Sequence, residues 1–445
     1  MPLSRDELST VERLSQKLMD EQSALQKLDA YYEGEQRLQM LGLAVPPALQ
    51  RFLTIVNWPR MAADGVEERL DIEGFRLPGV DEADDELWRI WQDNNLDEES
   101  GLAHLDALIY KRSYVCVGSN EADESTPLVT VESPFELIHE TDARTRKVTN
   151  ALRLYDVVDG RATKGTLYVD GATVWLEWSG AYGRWNDVDR DEHGMEPPVV
   201  PLVNRARASR RGGQSEMQDL IPITDAAART LTNLQLAQET HSVPQRFVLG
   251  ATAGDFVDQQ GQPLTKWEAY FNSVWALANE QAKVGQLAAS DLTNLTSTVE
   301  HYARLASGMA ALPPNYFGLA ADDAASADAI RSREARLVKR CERKQVAWSG
   351  AWEQVMRLAL RIVGDDNPSA KRLQTLWRDP ATPTEAQRTD AVVKKVQVGI
   401  LPREGAWDDM KYSPARQDRL RAQFARQAAE DPISSFVQAG AQTQE

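Results

Sequence analysis

The sequence predicts an α+β fold that is predominantly helical, and three observations carry that expectation. Three long stretches between Gln214 and Gly364 repeat apolar residues at helical spacing. The stretch 151–185 instead breaks into short β-prone pieces punctuated by Asp159-Gly160 and Asp170-Gly171, pairs that favour tight hairpins. No run of 18 or more apolar residues occurs, so no membrane-spanning helix is expected. With 445 residues, 42% of them apolar, the chain has material for real cores and for roughly three domains.

From the amino terminus, Ser4 and Glu7 have the spacing of a capping box, and Leu8, Val11, Leu14 and Leu18 share one face. MPLSRDELSTVERL therefore reads as the start of an amphipathic helix reaching about Tyr32; it lacks the apolar centre of a signal peptide. A second helical stretch is expected from Pro46 to about Leu70. The segment 81–99 holds nine carboxylates and a single basic residue, Arg89, and reads either as a solvated face or as a contact for a scaffolding or capsid protein. The continuous apolar run 108–117 reads as a strand. Asp187, Asp189 and Asp191 mimic the opening of a calcium loop, but Glu192 stands where that loop needs glycine and Pro198 where it needs a bidentate glutamate, so a hairpin tip is expected. RARASRR (205–211), followed by Gly212-Gly213, reads as a flexible basic joint, either a solvated hinge or a DNA contact.

The first long helix pattern opens at Ser215 and Gln218, a second capping-box spacing, and continues through Leu220, Ile223, Ala227, Leu231 and Leu234. Pro222 has no amide donor and crowds the preceding turn, so the main helix should begin or bend there. The second pattern runs from Ser290 through Leu292, Leu295, Val299, Tyr302, Ala306 and Met309, and Pro313-Pro314 ends it. The third starts near Ser326 and carries Ile330, Leu337, Cys341, Trp348, Trp352, Val355, Ala359 and Ile362 on one face until Gly364 caps it. Some 38 residues of helix make a rod of about 57 Å, long enough to be the spine of a larger assembly. Beyond it, a helix is expected through Ala391, Val392, Val396 and Ile400, another over 413–430, and a disordered polar tail.

GQSEMQDLIPITDAAARTLTNLQLAQETHSVPQRFVLG, VGQLAASDLTNLTSTVEHYARLASGMAALPPNYFGL and SADAIRSREARLVKRCERK, in that order, resemble the portal protein of tailed double-stranded DNA phages, in the form common among phages of actinobacteria. LDAYYEGEQRLQ with VNWPRMAADGVEERLDIEGFR, and LWRDPATPTEAQRTDAVVKKVQVGILPREGAWDDMKYSP, extend the resemblance over nearly the whole chain. It implies a portal fold assembling as a ring of twelve subunits, with a mixed α/β wing (1–213), a first stem helix (214–244), a small α/β clip (245–289), a second stem helix (290–312), a tunnel loop (313–327), a long spine helix (328–364), a helical crown (365–431) and a disordered tail (432–445). The implied place is the capsid vertex of the virion, after assembly in the host cytoplasm. The implied partners are copies of the chain itself, double-stranded DNA in the bore, the terminase large subunit, a head-to-tail adaptor, and the major capsid and scaffold proteins. No cofactor and no membrane is implied.

Carried over residue by residue, the resemblance places Ala320, Ala321, Asp322, Asp323, Ala324 and Ala325 nearest the DNA; Asp322 and Asp323 also suit capping of the spine helix through its dipole. Phe247, Val248, Trp267, Tyr270 and Trp275 fall in the clip, where adaptors would dock. Arg331, Arg333, Arg336, Lys339 and Arg340 spread round the spine helix, either as a solvated face or as bore or intersubunit contacts.

No phosphate-binding loop, H-E-x-x-H or G-x-S-x-G motif is present, and the five histidines have no paired spacing. Cys116 and Cys341 lie far apart in sequence and read as buried thiols, consistent with synthesis in a reducing cytosol. The expectation is a non-enzyme. The net charge of -17 suits a soluble protein generally, and equally a conduit whose wall repels phosphates so that DNA slides. Two other classes remain: a different phage scaffold or adaptor, which would form no open ring, and a metal-dependent DNA-processing enzyme, whose activity would require magnesium and particular acids.

Overall fold

The computed structural model describes residues 3–36, 54–79, 83–180, 183–241, 246–250, 283–286, 292–319, 327–365, 368–381, 385–410, 412 and 414–430. They divide into a unit over Met1–Pro380 and a second over Ala381–Glu445. The fold is mixed α/β and predominantly helical, as the sequence predicts.

Helix α1 (Arg5–Glu33) has the expected capping box: the Glu7 amide donates to Ser4 Oγ at 3.2 Å and the Ser4 amide to Glu7 Oε2 at 2.8 Å. Gly34, at φ +76°, ends it. Its first half buries Val11, Leu14 and Leu18 against a sheet, while Leu25, Leu28, Tyr31 and Tyr32 enter the main core. The following helix, α2 (Trp58–Glu67), starts well after Pro46; residues 37–53 lie outside those described.

The acidic segment becomes parts of two helices, α3 (Asp85–Asp93) and α4 (Leu96–Tyr110). Asp84 caps α3, accepting from the Glu86 and Leu87 amides, and Arg89 pairs with Glu86 and Asp93, both at 2.7 Å. The inner face of α3 buries Leu87, Ile90 and Trp91, so this run is a charged surface over a packed core. The apolar run 108–117 is not all strand. Leu108, Ile109 and Tyr110 finish α4, Lys111 at φ +74° breaks the helix, and only then does β2 (Arg112–Gly118) begin. A fully buried helix end and a central strand are equally apolar, and periodicity does not separate them.

Strands β2, β3 (Leu128–Glu132) and β9 (Val199–Val203) form an antiparallel sheet in the order β3-β2-β9. A second antiparallel sheet follows chain order through β4 (Leu137–Thr141), β5 (Val148–Val158), β6 (Arg161–Val169), β7 (Ala172–Ser179) and β8 (Arg184–Asp191). Both Asp-Gly pairs turn hairpins as expected; Asp159 at φ +51° and Gly160 at φ +76° have the two positive angles that a tight two-residue turn requires. The acidic stretch 187–191 is strand and not hairpin tip. The cross-strand pair Trp178 and Trp185, with ring centroids 5.4 Å apart, holds β8 on β7, and the tip falls earlier in the chain.

After β9, residues 205–211 form a hydrogen-bonded turn, with Arg207 and Arg210 bridged backbone to backbone and Arg205 paired with Asp219 at 2.7 Å. The loose joint expected there is therefore pinned. Helix α5 (Ile221–His241) starts beside Pro222, as proline chemistry demands; Ser215 makes no capping box, and its hydroxyl accepts from the Met217 amide instead. Strands β10 (Arg246–Leu249) and β11 (Lys283–Gln286) pair antiparallel. Helix α6 (Thr293–Ala310) packs along α5. A short 3₁₀ turn (Pro314–Phe317) follows the prolines. Helix α7 (Ala327–Ile362) is the long rod, with Gly364 at φ +82° beyond its end. Strand β12 (Gln374–Trp377) returns to pair with β1 (Ile72–Arg76).

In the second unit, α8 (Glu385–Gln397), α9 (Arg403–Asp409) and α10 (Pro414–Glu430) are joined by a stacked Trp407 and Phe424 and by Lys395 paired with Asp409 at 2.7 Å. Ile400 lies beyond α8 and is exposed. The predicted tail lies outside the described residues.

Candidate functional site

The middle of α7 is where the molecule's parts are tied together. Its buried face presents Leu337, Cys341, Trp348, Trp352, Val355 and Ala359, the stripe read from the sequence. Trp352 meets Trp91 of α3 edge to face at 5.2 Å and donates its indole N–H to Nε2 of His104 in α4 at 2.9 Å. His104 also stacks on Trp348 at 5.0 Å. Because the indole only donates, Nε2 carries the lone pair and the ring is neutral. Full burial agrees with this, holding the His104 pKa down at about 3.

One turn toward the amino end of α7, charge replaces apolar packing. Glu216, in the turn before α5, is almost completely buried and accepts from Lys344 Nζ at 2.5 Å, from Asn204 Nδ2 at 2.9 Å and from the Arg340 guanidinium. Burial pushes this carboxyl upward, but Lys344 and Arg340 outweigh it and leave the pKa at about 2. Lys344 is also held below its ordinary value, by burial first, with Glu216 opposing. Arg340 also donates to the Ala310 carbonyl, and Arg336 donates to the Gly308 carbonyl at 3.4 Å. These carbonyls belong to the last turn of α6, where unpaired carbonyl groups attract cations. Thus α7, the approach to α5, the end of α6 and the residue after β9 meet at one charged knot.

The sequence-predicted residues fall differently. Arg336 and Lys339 are exposed on α7, Lys339 paired with Glu342 at 2.5 Å, and Arg340 is committed within the chain. Arg331 and Arg333 lie on the first turns of α7, their side chains outside those described. Ala320, Ala321, Asp322, Asp323, Ala324 and Ala325 lie outside the described residues, as do Trp267, Tyr270 and Trp275. Phe247 and Val248 are in β10, opposite Gly285 and Val284. Sequence reasoning missed Glu216, Asn204 and Lys344 as partners, because Lys344 stands 128 positions from Glu216 and 140 from Asn204 and no local pattern links them. Cys116 and Cys341 are buried as expected, with burial raising their pKa values to about 12 and about 11. Among the described residues no cluster could hold a metal ion, and no helix is long and apolar enough to cross a membrane.

Charge thus locks helices together around the long rod α7. The comparisons name the kind of protein. Residues 12–423 match the family model described as phage portal protein, SPP1 Gp6-like. The portal protein of Mycobacterium phage D29 is 38% identical over 423 residues, covering 92% of this chain and 87% of that protein. That of Mycobacterium phage L5 is 38% identical over 414 residues, covering 90% and 85%. Two solved structures also align: the virion of a native gene transfer agent particle (TM-score 0.45, 12% identity, 88% of this chain and 99% of that one) and the neck of an empty particle of the same kind (TM-score 0.46, 13% identity, 87% and 99%). The chain belongs to the SPP1 Gp6-like family of phage portal proteins, ring-forming structural components of the virion at the capsid vertex.

Proposed function

We propose that the chain is one subunit of a closed ring of about twelve copies whose bore passes double-stranded DNA during packaging and ejection, and that it performs no covalent chemistry. Family membership over residues 12–423 is the observation that carries this reading. The assignments of wing to 1–213, stem to 214–244 and 290–312, clip to 245–289, spine to 328–364 and crown to 365–431 belong to it, as does the loop 313–327 in the bore. The clip would receive the terminase large subunit and later the adaptor, and the outer parts would face capsid and scaffold proteins. A ring needs a contact that is not its own mirror: one patch of each subunit meets a different patch of the next. The charged knot supports a mechanical role, since it fixes the base of both stem helices to the spine and lets a load on one reach the others.

Native mass spectrometry with negative-stain imaging of the purified chain tests the reading. Rings of about twelve with an axial hole are expected; a chain that stays monomeric or two-fold dimeric at every concentration and salt, with and without phage partners, rules it out.

A further inference from the structure

Beside the charged knot lies an open cleft of about 890 Å³ along one face of α7, from Arg336 to Gln354. Its two ends differ. Arg336, Lys339 and Arg343 line one, and Ala347, Gly350 and Ala351 line the other. Arg343 is exposed and has no carboxylate partner among the described residues. A Cβ built on Gly350 would meet nothing within 4 Å, so the small-residue end faces open space.

The adjoining end of α6 is built inside out for an isolated subunit. Its small residues Ala303, Ala306, Ser307 and Ala310 are buried, while Leu305 and Met309 are 45% and 49% exposed, and Met309 forms part of the cleft wall. Burying small residues inside and leaving the large ones outside forgoes apolar burial worth about 1.5–3 kcal/mol per side chain. A surface of this kind marks a contact with another chain.

We infer that this cleft is the receiving half of the subunit contact that closes the ring, and that its occupant is a second copy of this chain. The inference rests on the ring reading above and adds where the contact lies. Charge favours this occupant. Copies with a net charge of -17 repel one another, and a cleft rimmed by Arg336, Lys339 and Arg343 is a place where an acidic neighbour is attracted instead. Nucleic acid would also meet the cations, but it would leave Leu305, Met309 and the small-residue end uncovered.

The test compares the full-length chain with Gly350→Trp, which fills the open end, and with the double variant Lys339→Glu, Arg343→Glu, which reverses the rim. Both changes are on exposed positions, and thermal melting checks that each variant folds. At a concentration where the unaltered chain closes into rings, the ring fraction by native mass spectrometry is expected to fall at least tenfold in both variants. Rings at the unaltered yield overturn the inference while leaving the ring reading standing. Unaltered yield combined with weaker retention of a DNA duplex by the double variant would assign the cleft to nucleic acid, which also overturns it. Failure of the unaltered chain to form any ring, with and without phage partners, would sink the ring reading itself.

Discussion

At the scale of single residues, the strongest effects come from polar groups that burial has committed to one charge state. Glu216 holds two cations from an almost completely buried position. Replacing it with Gln leaves Lys344 and Arg340 without their counter-charge, and breaking such a pair costs about 3–5 kcal/mol. Equilibrium denaturation of Glu216→Gln should show that loss. The pH dependence has a definite sign. The folded pKa of Glu216, about 2, lies below its ordinary value of 4.5, so its contribution is complete above 4.5 and disappears as pH falls toward 2. His104 acts in the same direction over a higher window: the unfolded chain takes a proton near 6.5 and the folded site near 3, so stability drains away as pH falls between those values. At about pH 4 this amounts to about 3 kcal/mol. His104→Gln keeps an acceptor for the Trp352 indole and removes the titration. The fall in Tm between about pH 7 and about pH 4 should shrink in that variant without vanishing, since buried His139, also near 3, still titrates. A fall as steep as in the unaltered chain would count against this assignment. None of this was legible in the sequence. Glu216 and Lys344 stand 128 positions apart, and His104 and Trp352 stand 248 apart; no local pattern marks such partners.

At the scale of elements, the sequence was most readable where one period persists. The stripe of α7, the capping box of α1, the proline at the start of α5 and the Asp-Gly hairpins all follow from local rules. It was least readable where two structures share a composition, as at 108–110, or where a tertiary pairing decides, as when Trp178 and Trp185 draw 187–191 into a strand. Two glycines show how context sets the sign of one substitution. Gly213 sits at φ +79°, and a Cβ there would lie 2.5 Å from the Asn204 carbonyl oxygen and 2.6 Å from that of Lys111. Backbone cannot retreat as a side chain can, so Gly213→Ala should cost about 3 kcal/mol or more. Gly350 lies within α7 facing open space, and Gly350→Ala should stabilise the unassembled subunit by about 0.5–1 kcal/mol through helix propensity alone. Thermal melts of the two variants in opposite directions would bear this out.

At the scale of the whole molecule, function depends on what many copies do together, and the sequence conveyed it through likeness of order more than through any site. In the proposed reading portal parts follow one another along the chain, while the contacts that make a ring lie on surfaces no single chain completes. Deleting 320–325 should leave ring formation unchanged and reduce the fraction of heads that keep their DNA, measured by counting full and empty particles; an unaltered count removes that loop from any holding role. The placing of the charged knot has a mechanical corollary. Lys344 lies near the midpoint of the 36-residue α7, with about 26 Å of helix on either side of it. The carboxyl half is held further by Trp348, Trp352, Val355 and Ala359 in the main core, so the amino half is a beam fixed at one end. A bend of about 5° beside Glu216 would carry the amino end of α7 through about 2 Å while the carboxyl half stays packed.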